Sequence, residues 1–204
     1  MKKCGKLAAG VLFAVVLLSG CGQASVPEEI VEPTLVIDSD GRVTAYLVGE
    51  FDKSYYDLSE LTAMARDEAA EFGDASLNGT ALVTVKSVEA AQDGSGRIVL
   101  VYQFDSADSY KGFIGNELFY GTVEEALSKG YIQDVILQSV GSGESLVRDT
   151  LESQKEKHLI ITNTAAVIYC PERVTYLSAG AVMKEDGSVD ASKAFGTVYI
   201  LLRK

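Results

Sequence analysis

The stretch TLVIDSDGRVTAYLVGEF, residues 34–51, decides the fold class of this chain. Its two runs of β-branched and apolar residues, TLVID and RVTAYLVGEF, are typical of strands. The SDG between them favours a turn, because Asp and Gly both tolerate positive φ angles. The stretch therefore predicts a β-hairpin.

The residues after this hairpin predict a helix over 57–72. Asp57 and Glu60 have the spacing of a capping box, and Gly73 suits the C-terminal cap. Apolar residues recur at helical spacing along one face: Leu58, Leu61, Ala65, Ala69 and Phe72.

The same ββα order returns without sequence identity. ALVTVKSVEA (81–90) and RIVLVYQF (97–104) flank the turn sequence QDGSG, which predicts a second hairpin. DSADSYKGFI (105–114) then predicts a short helix, with Asp105 as its cap. The two units together indicate antiparallel strands with helices packed on them.

The rest of the chain is rich in predicted strands. TVEEALSKGY (122–131) predicts a helix with a Thr122–Glu125 capping box and a stop at Gly130. IQDVILQSV (132–140) predicts a strand, and ESLVRDTLESQKEK (144–157) predicts a polar helix. Further strands are predicted at HLIITN, AVIYC, RVTYLS and TVYILLR, with a turn at KEDGS. The fold class is therefore α+β, with mainly antiparallel hairpins, three to four helices and a β-rich C-terminal part.

The N-terminus has the layout of an export signal. Lys2, Lys3 and Lys6 precede an apolar or small run from Leu7 to Ser19. That run is shorter than the roughly 20 residues that cross a bilayer as a helix. A basic segment before a short apolar run is typical of a signal peptide, the alternative being a signal anchor that is not cleaved.

The four residues Leu18-Ser19-Gly20-Cys21 resemble the lipobox of bacterial lipoproteins. This resemblance implies that residues 1–20 are removed, that the Cys21 thiol carries a diacylglycerol, and that the protein is anchored in the cell membrane facing outside the cytoplasm. Two acyl chains give stable anchoring. Residues 21–33 are then expected to form a flexible tether about 20 Å long. A Gram-positive surface and a periplasm remain alternatives.

A second, looser resemblance lies further along the chain. GEFDKSYYDLSEL (49–61) resembles a segment of uncharacterised lipoproteins of anaerobic Gram-positive bacteria. It implies the same location and no activity. The folded domain is expected to span 34–204, and the only candidate boundary within it is GSG at 141–143.

The net charge restricts the classes of partner that the chain can bind, and the cysteine content restricts its disulfides. Without the three N-terminal lysines, 15 basic residues face 29 acidic ones, a net charge of about −14. Such a surface repels phosphate backbones and anionic headgroups, so no nucleic-acid partner is expected and the membrane is reached through the lipid on Cys21. Cys4 leaves with the signal peptide, which leaves Cys170 without an intramolecular disulfide partner.

Candidate catalytic residues are few. Cys170 and His158 are the one potential nucleophile–base pair, although a Cys at the end of an apolar strand is typically buried and inert. One His and one free Cys are too few for zinc, and DSDGR (38–42) fits a turn better than a calcium loop, so no metal and no cofactor are predicted. Carboxylate pairs for glycoside hydrolysis could come from the acids Asp52, Asp57, Glu60 and Glu117.

Adjacent aromatic residues suggest a binding surface. SYYD and LFYG place Tyr55, Tyr56 and Tyr120 near predicted loops, where an exposed Tyr could contact a protein or stack on a sugar ring. We therefore expect a non-enzymatic binding or interaction module whose ligand is an envelope protein, a polysaccharide or a small molecule. The alternative is an exported hydrolase with an acidic or Cys/His site.

Overall fold

The computed structural model describes residues 25–53, 56–74, 81–132 and 134–203. Within these ranges the strands are β1 (Thr34–Ile37), β2 (Val43–Glu50), β3 (Val83–Ala90), β4 (Arg97–Phe104), β5 (Leu118–Thr122), β6 (Ile136–Ser139), β7 (Ser145–Val147), β8 (His158–Thr162), β9 (Val167–Tyr169), β10 (Val174–Ser178), β11 (Val182–Met183), β12 (Val189–Asp190) and β13 (Val198–Leu202). The α-helices are α1 (Leu58–Asp74), α2 (Ala107–Ile114), α3 (Val123–Ser128) and α4 (Arg148–Leu151).

The strands form two sheets. Seven strands make the first sheet, in the order β11-β12-β9-β1-β2-β4-β3, and six make the second, in the order β5-β8-β13-β10-β6-β7. All the strand pairs are antiparallel except β1 with β9. Both predicted ββα hairpins are present, and the predicted α+β class is confirmed.

Three of the predicted helices, α1, α2 and α3, form with small shifts at their ends. Asp57 caps α1, since its Oδ1 accepts from the backbone N–H groups of Ser59 and Glu60 at 2.7 and 3.2 Å. The helix runs through Gly73 to Asp74, so Gly73 is not its cap. The cap of α2 is Ser106 rather than Asp105: the Ser106 hydroxyl accepts from the Ser109 N–H at 3.2 Å.

One prediction in the second sheet is wrong. Residues 144–157 do not form one helix, because 145–147 pair with β6 as β7, which leaves only α4 and a 3₁₀ turn at Glu152–Gln154. Here the hydrogen bonds of a neighbouring strand override the local preference. The LFYG segment, which was expected near a loop, forms the edge strand β5 against β8.

One core joins the two sheets. It includes Phe104 and Ile168 of the first sheet together with Ile160, Ile200 and Leu202 of the second, all fully buried. A second apolar cluster covers the opposite face of the second sheet beneath α3 and α4. The GSG at 141–143 is the turn between β6 and β7, inside the second sheet.

The segment before β1 packs on the first sheet. Ile30 is buried, Glu29 pairs with Arg97 at 2.7 Å, and Glu32 pairs with Lys184 at 3.1 Å. The backbone N–H of Val167 donates to the carbonyl of Pro33 at 2.9 Å. Residues 29–33 were expected to be part of the flexible tether, but these contacts hold them against the first sheet.

Among the described residues, no helix is both long enough and apolar enough to span a membrane.

Candidate functional site

The predicted site residues are separated by the fold. Cys21 and Tyr55 lie outside the described residues. Tyr56 lies between β2 and α1, where its ring stacks on Phe51 with centroids 4.8 Å apart, and it is 43% exposed. Tyr120 lies on β5, half-buried, at the edge of the second sheet.

His158 is the centre of a small polar cluster. It begins β8, directly opposite Thr122 of β5, and its Nδ1 lies 3.4 Å from the Tyr120 hydroxyl. The same Nδ1 lies 2.5 Å from Oε1 of Glu172, which follows β9. Burial raises the pKa of the Tyr120 phenol to about 12, with the Glu172 charge a smaller cause.

Cys170 does not join this cluster as a nucleophile. It is buried in the shared core, with 6% of its surface exposed, and burial raises the pKa of its thiol to about 12. Among the described residues no hydrogen bond links it to His158, whose Nδ1 is bonded to Glu172. A thiol with so high a pKa remains protonated near neutral pH and is a poor nucleophile.

The acids considered for hydrolysis have local partners. Asp57 caps α1, Asp52 pairs with Lys53 at 2.8 Å, and Glu117 pairs with Lys111 at 2.8 Å. Glu60 lies in the first turn of α1. The predicted turn at 38–42 is confirmed by the bond from the Gly41 N–H to the Asp38 carbonyl. Among the described residues no three His, Cys, Asp or Glu side chains are grouped as a metal site requires.

A basic cavity lies at one end of the second sheet. Strands β8 and β10 run in the same direction and β13 runs between them in the opposite one. The residue before β8, the residue before β10 and the residue after β13 therefore meet at the same end of the sheet. These residues are Lys157, Arg173 and Arg203, and all three line an open cavity of about 650 Å³.

Apart from Lys157, Arg173 and Arg203, the described residues that line this cavity are uncharged. Arg173 and Arg203 are held together by the bond from the Arg203 N–H to the Arg173 carbonyl at 2.8 Å. Among the described residues, the lining besides the three cations is apolar or uncharged and carries no carboxylate: Ser139, Val140, Gly141, Val174, Thr175, Tyr176 and Met183.

A second cavity, of about 690 Å³, has the opposite character. It lies between the segment before β1 and the outer face of the first sheet, with Glu28, Glu29, Glu89 and Asp93 in its lining. Arg97 is its basic residue, and this side chain is already bound to Glu29 and Asp93 at 2.7 and 3.2 Å. The groove is therefore acidic, with its cation neutralised from within the protein.

The sequence did not single out the three cations of the basic cavity. Lys157 directly precedes a predicted strand, Arg173 begins one and Arg203 ends one, and these positions at strand ends were the available signal. Which strand ends meet depends on the strand order, and the order cannot be inferred from the local pattern.

Comparison with protein families, with curated proteins and with solved structures finds no match to this chain.

Proposed function

We propose that this chain is a lipid-anchored lipoprotein whose folded domain binds a ligand outside the cytoplasmic membrane. The observation that carries the proposal is the sequence Leu18-Ser19-Gly20-Cys21 after a basic segment and a short apolar run. A diacylglycerol on Cys21 supplies two acyl chains, enough for stable attachment.

The arrangement of the domain supports binding rather than hydrolysis through a Cys/His pair. Cys170 is buried with a raised pKa, and the His158 imidazole is bonded to Glu172. Two open cavities of opposite charge, in contrast, are accessible from the surface. The domain is therefore proposed to act through surfaces that hold a ligand without changing it.

The packed segment before β1 limits the distance between the domain and the bilayer. Glu29 and Ile30 are fixed to the first sheet, so at most the seven residues 22–28 separate Cys21 from this packed segment. Seven residues span at most about 25 Å when fully extended. The acidic groove, which contains Glu28 and Glu29 in its lining, would then lie on the membrane-proximal side.

The anchor is tested by expressing the full chain in a bacterium supplied with radiolabelled palmitate. We expect label on the wild-type protein in the membrane fraction and none on Cys21→Ser, which should also keep its signal peptide. Cys4→Ser is the matched control, because Cys4 lies in the part that is removed, and it should label normally. Labelling and cleavage of Cys21→Ser would contradict the proposal.

A further inference from the structure

We propose that the basic cavity at the end of β8, β13 and β10 binds a phosphate ester that carries an apolar group. This inference rests on the proposed binding function and names the chemical class of its ligand. It arises from the placement of Lys157, Arg173 and Arg203 around one open cavity.

The first argument is the charge of the cavity within an acidic protein. Acidic residues outnumber basic ones by 29 to 18 over the whole chain. Several basic side chains elsewhere are paired with carboxylates, as in Arg42–Asp40 and Lys184–Glu32. None of the ion pairs among the described residues includes a cation of the cavity. Three cations for which the described residues supply no ion-pair partner make a local positive potential that an anion would relieve.

The neighbouring carboxylate does not neutralise them. Glu172 directly precedes Arg173, and its Oε1 is bonded to His158 rather than to an arginine. The Arg203–Arg173 backbone bond places the two arginines side by side at the ends of adjacent strands, while Lys157 lies on the other side of β13, next to β8. Two guanidinium forks and an ammonium are the groups that proteins use for phosphate, since each Arg can donate two parallel hydrogen bonds to phosphate oxygens.

The second argument is the lining next to the cations. Val140 is exposed, Val174 is buried, and Met183 and Tyr176 are half-buried at the cavity. A volume of about 650 Å³ is far larger than a bare phosphate needs and falls within the usual range of small-molecule sites. A ligand with a phosphate head and an apolar part would use both halves of the lining.

The experiment measures binding of radiolabelled inorganic phosphate to the full, lipidated chain in neutral detergent by equilibrium dialysis. We expect saturable binding that weakens as salt is raised, because charge attraction drives it. Arg173→Ala and Arg203→Ala should each weaken phosphate affinity about ten-fold or more, since a charge-assisted hydrogen-bonding group is lost. Alanine leaves the backbone bond between the two positions intact.

Arg66→Ala is the matched control, because Arg66 is an exposed cation on α1, outside the cavity. It removes the same charge and should leave phosphate affinity unchanged. Thermal unfolding of each variant shows that the fold is kept. Unchanged affinity in both cavity variants, or no saturable binding by the folded wild-type protein, would overturn the inference.

Competition then tests whether the apolar group of the ligand is recognised. Stronger displacement of labelled phosphate by short-chain phosphatidylglycerol than by glycerol 3-phosphate supports a ligand with an apolar group, such as a lipid. Equal or stronger displacement by glycerol 3-phosphate would overturn the apolar part of the inference, and short-chain phosphatidylcholine is the zwitterionic control. Failure of phosphate binding leaves the palmitate result unaffected, so it would count against the ligand class alone and not against the anchor.

Discussion

Cys170 and His158 show how much the surroundings of a residue decide its chemistry. Cys170 follows β9 of the first sheet and is enclosed by the shared core, whereas His158 begins β8 of the second sheet and is bonded to Glu172. Desolvation disfavours the thiolate, so the pKa of Cys170 rises to about 12. The thiol consequently behaves as a small apolar side chain.

This burial predicts that Cys170 resists alkylation in the native protein. Iodoacetamide at about pH 8 should leave the Cys170 peptide unmodified, because the reagent attacks an accessible thiolate. The same protein in guanidinium chloride should be alkylated fully at this position. Mass spectrometry of the tryptic peptides measures both. Rapid modification of the native protein would show that Cys170 is accessible.

The basic cavity shows that the local charge at a site can differ from the net charge of the chain. The net charge of the chain predicts repulsion of phosphate groups, and the arrangement of Lys157, Arg173 and Arg203 creates a local exception. Electrostatic interactions between exposed charges are screened beyond about 10 Å in ordinary salt. A ligand in the cavity is therefore governed by the nearest charges rather than by the total.

At the scale of an element, the start of α3 is the clearest agreement between sequence and structure. Thr122 and Glu125 form the predicted capping box: the Glu125 N–H donates to the Thr122 hydroxyl at 3.2 Å, and the Thr122 N–H donates to Glu125 Oε2 at 2.7 Å. The latter bond is the main reason that the pKa of Glu125 is lowered. A helix of six residues depends strongly on such a cap.

We expect Thr122→Ala to reduce the free energy of unfolding by about 1 kcal/mol, because the Glu125 N–H loses its acceptor. Urea unfolding followed by circular dichroism measures this change. Ser153→Ala, in the 3₁₀ turn, is a control at another exposed position, and it should have a smaller effect.

The Thr122–Glu125 capping box also makes the stability of the protein depend on pH. Since folding lowers the pKa of Glu125, its contribution to stability is present above the unfolded value of about 4.3 and is lost as the pH falls through the folded value. Glu125→Ala should therefore be less stable than wild type at neutral pH, and the difference should shrink in acid. A difference that grows in acid would contradict this account.

At the scale of the whole molecule, the two sheets should unfold together. Leu202 of β13 is fully buried in the core that also contains Phe104 of β4. Leu202→Ala should lower the free energy of unfolding by about 2–5 kcal/mol, because it leaves a cavity in this core. Tyrosine fluorescence and circular dichroism should report one coincident transition in both proteins.

Val182→Ala is the control for that experiment. Val182 is 63% exposed on β11, and its truncation should change stability by no more than about 0.5 kcal/mol. Two separate transitions, one for each sheet, would show that the sheets unfold independently and would contradict this expectation.

The sequence alone determined the features that depend on neighbouring residues. The two ββα units, the caps at Asp57 and Thr122, and the turn at Gly41 follow from patterns only a few residues long, and the structure contains them all. The lipobox is equally local and remains a prediction. These features are set by side-chain alternation, capping hydrogen bonds and turn geometry, which require no distant contact.

Only the tertiary structure decided which strand ends meet. LFYG became the edge strand β5 and residues 145–147 became β7 because a partner strand offered hydrogen bonds there. The parallel pairing of β1 with β9, and the convergence of Lys157, Arg173 and Arg203, depend on residues far apart in the chain. Pairing between such distant strands is determined by the burial of one common core. A local sequence pattern therefore does not indicate which strands pair.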